Sequence, residues 1–283
     1  MDLMIVAKLA LLASIMLVVL SFGLGTSVNE ALAFLREPGT AARAMLSMFG
    51  ILPLFVLGLV ALFPLKPAVA FTLLALSVSP MPPVYPGKAG KQGGGDQYVM
   101  GLFVLATVTS VLAVPLILSV DEYLLGMPIP FEMLPVLRTL VLTVAAPLAV
   151  GMLVFARNTP LADRLRPIAA RLGKGLLIMV ALLLLVASWP AMRAAVGDGT
   201  LAAITAMVVV GLVSGYLLGG PVAGNRAALA TATALRHPGV ALPLAVGAAS
   251  AADRPIVLGA VLLYLLINTL AGAAFARLVK AKP

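Results

Sequence analysis

One apolar stretch of this sequence carries groups that are costly to place in a hydrophobic environment. Residues 231–245 read TATALRHPGVALPLA, and at the centre Arg236 and His237, the only histidine of the chain, precede Pro238 and Gly239. A guanidinium is a permanent cation that binds carboxylates, and an imidazole exchanges a proton close to physiological pH. Proline and glycine interrupt helices. The motif therefore predicts an anion-binding or proton-exchanging site at a helix break.

Further polar side chains lie within or beside apolar stretches, and we predict that they line the same site. Coupling-ion binding is assigned to His237 and to Asp96, which follows three glycines. Each assignment has a structural alternative. Arg236 would pair with Asp96 or with a helix-end carbonyl, and His237 would cap a helix. Asp96 would cap the helix that follows it. The threonine and serine hydroxyls assigned to the substrate would bond to their own helix or to a neighbouring one. Substrate binding is assigned to Arg236, His237, Thr233, Ser79, Thr107, Thr109 and Ser110.

The composition indicates a membrane protein. Of the 283 residues, 62% are hydrophobic and 10% are charged, whereas roughly 25% of the residues in a soluble domain are charged. The net charge of +9 comes from basic residues split among short loops, so we expect no nucleic-acid interface, which needs a continuous basic surface. The chain has no cysteine, which excludes disulfides and thiolate metal sites. We expect neither a metal site nor a cofactor.

Nine apolar stretches predict nine transmembrane helices, because a bilayer core of about 30 Å takes roughly 20 helical residues. Two of the stretches are interrupted: 68–92 by SPMPPVYPG at 79–87, and 221–250 by RHPG at 236–239. Only helices satisfy the backbone polar groups of such spans in lipid. The fold class is therefore an all-α membrane protein. The uninterrupted spans are 4–25, 42–64, 97–120, 134–156, 173–195, 200–219 and 255–277.

The distribution of charge predicts the orientation in the cell inner (plasma) membrane. Basic residues accumulate on the cytoplasmic side of such proteins. The segment 157–174 and the tail after 277 are basic and are assigned to the cytoplasm, whereas 121–132 holds only acidic charges and is assigned to the outside. With nine spans and these three segments assigned to their sides, the N-terminus is predicted to lie outside and the C-terminus in the cytoplasm.

The order of the spans occurs twice, in opposite orientations. Residues 1–120 form the first repeat, with four spans and a break near 79–87. Residues 121–283 form the second, with five spans and a break near 236–239, because 134–156 is an additional leading span. Inverted repeats with broken helices that meet near the membrane midplane are typical of secondary transporters.

Three stretches carry a resemblance to the bile acid:sodium symporter family. FGLGTS at 22–27 resembles the small-residue end of that family's second helix. SVSPMPP at 77–83, with the segment 93–116 that begins GGGDQ, resembles its first crossing and the helix after it, and 225–245 resembles its second crossing. The resemblance implies two inverted repeats with crossed helices and sodium-coupled transport of organic anions, in a member that lacks the first family helix.

The chain departs from that family at the sodium ligands. Where members have a glutamate, a glutamine and an asparagine, this sequence has Ala232, Arg236 and His237, and the first crossing continues with Val84 and Tyr85 in place of a serine–asparagine pair. A unit charge about 4 Å from a cation costs about 4 kcal/mol at an effective dielectric of 20. Sodium is therefore not expected at these positions. Arg236 would stand in for the bound cation, and coupling would use protons at His237 or Asp96.

These observations favour a secondary active transporter that moves a small organic anion across the lipid bilayer by alternating access. The alternative is a passive channel or facilitator for a small solute. An intramembrane enzyme is disfavoured, because a metal-dependent site needs a cluster of histidine and acidic ligands, and the chain has a single histidine and ten acidic residues that lie mostly in loops. A purely structural membrane subunit would give no reason for Arg-His-Pro-Gly within a membrane span.

Overall fold

The described residues, 3–126, 134, 138 and 141–280 of a computed structural model, form helices joined by turns and short irregular segments, with no strand among them. One helical span is continued through a π-helical segment, Leu46–Ile51, which joins α3 to α4. A second π-helical segment, Val141–Ala145, leads into α8. The α-helices are α1 (Leu3–Gly23), α2 (Val28–Ala31), α3 (Pro38–Met45), α4 (Leu52–Leu62), α5 (Pro67–Val78), α6 (Tyr85–Gly90), α7 (Asp96–Leu125), α8 (Ala146–Arg157), α9 (Thr159–Ala187), α10 (Trp189–Ala195), α11 (Thr200–Leu218), α12 (Ala223–Ala234), α13 (Pro238–Ala248) and α14 (Arg254–Lys280).

Several of these helices have the length and composition of membrane spans. Within the described residues, five are long and apolar enough to cross a bilayer: Pro38–Leu62, Asp96–Leu125, Thr159–Ala187, Thr200–Leu218 and Arg254–Val279. Shorter apolar helices cover Leu9–Gly23, Pro67–Val78 and Val141–Arg157. This is consistent with a multi-pass membrane protein. The N-terminal part of the predicted span 134–156 lies largely outside the described residues.

One predicted loop and the first residues of another are helical instead. The basic segment 157–174 forms the first half of α9, because the Asn158 side chain accepts a hydrogen bond from the Leu161 N–H at 3.0 Å and caps the new helix. This helix ends at Ala187, before Pro190, so the predicted span 173–195 is divided between α9 and α10. Helix α7 runs past its predicted end to Leu125, and Asp121, assigned to an external loop, lies buried in it.

One group of helices packs mainly on itself. Helix α1 lies along α8 and α9, and these two also contact each other. Glycines allow the close approach: a Cβ on Gly23 would collide with the Leu148 carbonyl, a Cβ on Gly151 with the backbone of α1, and a Cβ on Gly173 with Val18. We call α1, α8 and α9 the three-helix layer.

The remaining long helices surround the two broken ones. Helix α5 packs against α13 and α14, and α12 packs against α11 and α6. The α11–α12 contact is especially close because Gly211, Gly215 and Gly219 face the backbones of Ala234, Ala230 and Arg226. Small residues spaced four apart on one helix face allow this close approach of two helices. We call α3–α7 with α10–α14 the crossing bundle.

Candidate functional site

The two broken helices meet at their breaks. The first is unwound between Val78 and Tyr85, the second between Ala234 and Pro238, and the His237 N–H donates to the Pro80 carbonyl oxygen at 2.8 Å. The leading half of each helix packs on the trailing half of the other, α5 on α13 and α12 on α6. The breaks therefore form one crossing, as the sequence predicts, although the first is shorter than the predicted 79–87.

Proline chemistry explains where both helices stop. A residue that precedes proline is driven into extended conformations, and both Ser79 (φ −63°, ψ 143°) and His237 (φ −80°, ψ 105°) adopt them. Pro238 then occupies the first position of α13, where its missing N–H costs nothing. Two helix C-termini and two helix N-termini thus converge on a few residues of extended chain.

Arg236 lies at the centre of this crossing and is fully buried. Its Nη1 donates to the Ser79 carbonyl oxygen at 3.0 Å and its Nη2 to the Met48 carbonyl oxygen at 2.6 Å. The guanidinium carbon is 5.9 Å from the centre of the Phe49 ring. The ion pairs of the described residues include no acid within salt-bridge distance of the guanidinium. The structural alternative that pairs Arg236 with a helix-end carbonyl therefore has direct geometric support, whereas pairing with Asp96 is not observed.

The Met48 carbonyl is free for Arg236 because of the local helix geometry. In an α-helix it would accept the Leu52 N–H, but in the π-helical segment that N–H donates to Ser47 instead. The next residue is Pro53, which has no N–H. The helix thus presents an unpaired carbonyl toward the crossing, and the guanidinium satisfies it.

Two polar residues of α14 that the sequence reasoning missed also hold the second break. The Tyr264 hydroxyl donates to the Ala234 carbonyl oxygen and accepts the Arg236 N–H, both at 2.6 Å. The Asn268 amide donates to the same carbonyl at 2.6 Å. Their spacing of four residues on one face of an apolar helix was the available signal. The carbonyl at the end of α12 therefore has two donors.

His237 caps the helix that follows it, in agreement with its structural alternative. Its Nδ1 accepts the Gly239 N–H at 3.1 Å, so in the neutral ring the proton is on Nε2. This Nε2 is buried and has no hydrogen-bond partner among the described residues. Extended chain sends adjacent side chains to opposite faces, so His237 and Arg236 diverge from the break.

The predicted hydroxyls lie in the crossing bundle, and most of them are satisfied locally. Ser79 donates to Ala75 at 2.6 Å, Thr107 to Phe103 at 2.8 Å and Ser110 to Thr107 at 2.7 Å, each to a carbonyl of its own helix. Thr109 is half-buried. Thr233 is buried and bonds to the Ser47 hydroxyl at 2.9 Å, which ties α12 to the π-helical segment.

Asp96, the predicted coupling-ion residue, lies at the surface. It is the first residue of α7, after the N-cap Gly95, and its side chain is exposed. A carboxylate in the first turn stabilises a helix through the helix dipole. The structure thus brings Arg236, His237, Ser79 and Thr233 to the crossing and leaves Asp96 in a position that suits a helix-end role.

The charge distribution of the crossing suits an anion. The C-terminal ends of α5 and α12 carry partial negative charge, and the Arg236 guanidinium sits against them. The N-terminal ends of α6 and α13 carry partial positive charge and begin at the same crossing. With no buried carboxylate beside Arg236 in the described part, the net charge there is positive.

No model of a known protein family matches the chain, and no functionally characterised protein matches it either.

Proposed function

We propose that the protein is a secondary active transporter that moves a small organic anion across the membrane by alternating access. The observation that carries the proposal is the buried, unneutralised Arg236 guanidinium where two broken helices meet. An ionisable group within a membrane is costly, and in a transporter it marks a substrate or ion pathway.

The proposal includes nine spans in two inverted repeats. In each half, a long helix precedes the broken one and another follows it: Pro38–Leu62 and Asp96–Leu125 in the first, Thr200–Leu218 and Arg254–Val279 in the second. The reciprocal packing of α5 on α13 and of α12 on α6 is the arrangement that a pseudo-twofold axis in the membrane plane generates. We place the N-terminus outside and the C-terminus in the cytoplasm on the charge distribution.

Alternating access needs two bodies that move relative to each other, and the packing supports such a division. The three-helix layer is held together by close backbone contacts, and the crossing bundle is held together around the breaks. Apolar side chains line the boundary between them, including Val19 and Leu148 from the layer and Met81 and Leu235 from the breaks. We propose that rocking at this boundary exposes the crossing to each side in turn.

We further propose that Arg236 replaces a soluble coupling cation. The guanidinium donates hydrogen bonds to the carbonyl oxygens of Ser79 and Met48, and carbonyl oxygens are ligands that a sodium ion would also use. A second cation beside it would be repelled by about 4 kcal/mol at about 4 Å for an effective dielectric of 20. We therefore propose for this chain an architecture like that of the bile acid:sodium symporters, without their sodium coupling.

Transport in proteoliposomes tests the function and the coupling together. We expect uptake of small carboxylates by the purified chain to continue when sodium is replaced by choline, because the fixed charge already fills the cation position. A proton gradient, varied independently of sodium, identifies proton coupling. Strict sodium dependence would contradict the fixed-charge proposal. Downhill flux that no ion gradient alters would identify a passive facilitator, and absence of carboxylate flux would contradict transport of organic anions.

A further inference from the structure

Two cations occupy the exposed face of α9, whose apolar stretch is the least buried among the five helices that are long and apolar enough to cross a bilayer. Arg171 and Lys174 are both exposed. They stand in line with Ile178 and Leu182, which are 60% and 58% exposed, at the i, i+3, i+7, i+11 spacing of one helix face. Apolar side chains exposed on a membrane-spanning helix contact lipid, so the two cations face lipid as well.

The contacts of α9 with α1 show the depth of these cations. A Cβ on Gly173 would meet Val18, and a Cβ on Gly25, just after the end of α1, would meet the Arg166 guanidinium. Seven residues separate the two contacts on each segment, so α9 runs antiparallel to α1. Lys174, next to the first contact, therefore lies level with the middle part of the apolar stretch of α1.

No acidic side chain in the described part of the chain neutralises these two cations. The one ion pair there within salt-bridge distance joins Lys66 to Asp198 at 3.9 Å. Residues three or four positions apart on a helix are neighbours, and none of those positions around Arg171 or Lys174 holds an acid. The two cations are themselves three positions apart, so like charges stand side by side at a depth where charge is costly. An anion from outside the protein would relieve this repulsion.

A second copy of the chain offers no such anion at this depth. The acids of the five bilayer-crossing helices, counted over the described residues, all lie near a helix end. They occupy only the first or last five positions of a helix: Asp96, Asp121, Glu122 and Asp163. An acid on the facing helix of another copy would therefore lie well above or below Lys174.

The direction of α9 favours contact of both charges with lipid headgroups. The Cα–Cβ bonds of a helix tilt toward its N-terminus, and the N-terminal half of α9 is its basic half, with Arg164 on the same face as Arg171. Long basic side chains keep their stems against apolar surface while the charged end extends to the membrane interface. The planar fork of an arginine matches the geometry of a phosphate. The phosphate of a lipid headgroup is therefore the anion that suits this face.

We propose that Arg171 and Lys174 bind the phosphate of an anionic phospholipid on the lipid-facing side of the three-helix layer. A lipid of net negative charge complements the two unneutralised cations, and its acyl chains cover the exposed Ile178 and Leu182. A zwitterionic phospholipid, whose ammonium group cancels the phosphate charge, binds here more weakly. This site is separate from the crossing and does not depend on the transport proposal.

Native mass spectrometry measures the lipid preference of the purified full chain in detergent, with equal amounts of dioleoyl phosphatidylglycerol and dioleoyl phosphatidylcholine added. The two lipids share their acyl chains and differ in headgroup charge. We expect phosphatidylglycerol to bind roughly tenfold more tightly, because each cation near a lipid surface adds to the attraction for an anionic headgroup. Inorganic phosphate at the same concentration should not displace it, since the acyl chains supply part of the binding.

The double variant Arg171→Gln/Lys174→Gln assigns the site. We expect it to lose the roughly tenfold preference while its affinity for phosphatidylcholine is unchanged. Arg193→Gln/Arg254→Gln is the matched control, because it removes the same charge from two exposed arginines on other helices, and it should retain the preference. All four side chains are exposed, so we expect both variants to fold, and elution as a single species verifies this.

Three results would overturn the inference. The first is equal binding of the two lipids, or a preference for phosphatidylglycerol that the double variant retains. The second is displacement of phosphatidylglycerol by inorganic phosphate, which would identify a site for the free ion. The third is a double variant that changes the oligomeric state and not the lipid preference, which would identify this face as a protein interface.

Discussion

Replacing Arg236 with alanine is expected to lower carboxylate uptake about 100-fold or more, the loss that follows when one or two hydrogen bonds from a charged group are removed from a binding site. The variant deletes the buried positive charge at the crossing. It also leaves the carbonyls of Ser79 and Met48 without their donor. Initial rates of uptake into proteoliposomes, normalised to the amount of inserted protein, provide the measurement.

Two further variants show which property of Arg236 matters. Arg236→Lys retains the charge but not the planar fork that reaches two carbonyls at once, so we expect intermediate uptake. Arg254→Ala removes an exposed arginine from the start of α14 and should leave uptake unchanged. If an Arg236→Ala protein that elutes as a single species in detergent shows full uptake, the charge of Arg236 is not needed for transport.

The second large effect concerns the packing of α11 on α12. A Cβ at position 215 would lie 2.5 Å from the Ala230 Cα and 2.5 Å from the Leu229 carbonyl oxygen. Both are backbone atoms that no side-chain rotation moves. We expect Gly215→Ala to destabilise the protein by about 1–3 kcal/mol, the usual range for overpacking, and to lower the midpoint of thermal unfolding followed by circular dichroism.

Gly58→Ala is the matched control for that substitution. Gly58 is likewise inside a helix, but a Cβ there meets nothing within 4 Å. Because alanine favours helix more than glycine by about 1 kcal/mol, this variant should be as stable as the unmodified protein or more so. Equal unfolding midpoints for the two variants would show that the close contact of α11 with α12 does not contribute to stability.

The breaks could be predicted from the sequence because proline acts locally. Pro80 and Pro238 force the residue before them into extended backbone whatever the tertiary environment, so both interruptions fall where the sequence indicates. The contact between the two breaks was predicted from the repeated order of the helices. The hydrogen bond from the His237 N–H to the Pro80 carbonyl oxygen shows that the breaks touch.

The direction of the Arg236 side chain could not be predicted from its own neighbourhood. Its partners are main-chain carbonyls of distant segments, and a carbonyl has no signature in residue type. A partial signal existed in Pro53, whose missing N–H leaves a carbonyl of the preceding turn without a partner. Tyr264 and Asn268 also carried a signal, since two polar residues one turn apart on an apolar helix indicate a buried contact.

The prediction of a loop at 157–174 was wrong for a different reason. Its cluster of basic residues reports where charge lies relative to the bilayer, and it does not report backbone conformation. Asn158 begins a helix there, and the basic residues extend along the first turns of α9. Orientation and secondary structure are separate questions, and the charge pattern bears only on the first.

Alternating access predicts that the crossing can be reached from each side of the membrane in turn, and cysteine labelling measures this. The chain has no cysteine, so Ser79→Cys introduces a single thiol at the first break and retains the carbonyl that binds Arg236. In a transporter that alternates around this crossing, a membrane-impermeant thiol reagent labels that cysteine from either side, and a bound carboxylate slows the labelling. A thiol that reacts from neither side, or at a rate that no carboxylate alters, would contradict the account.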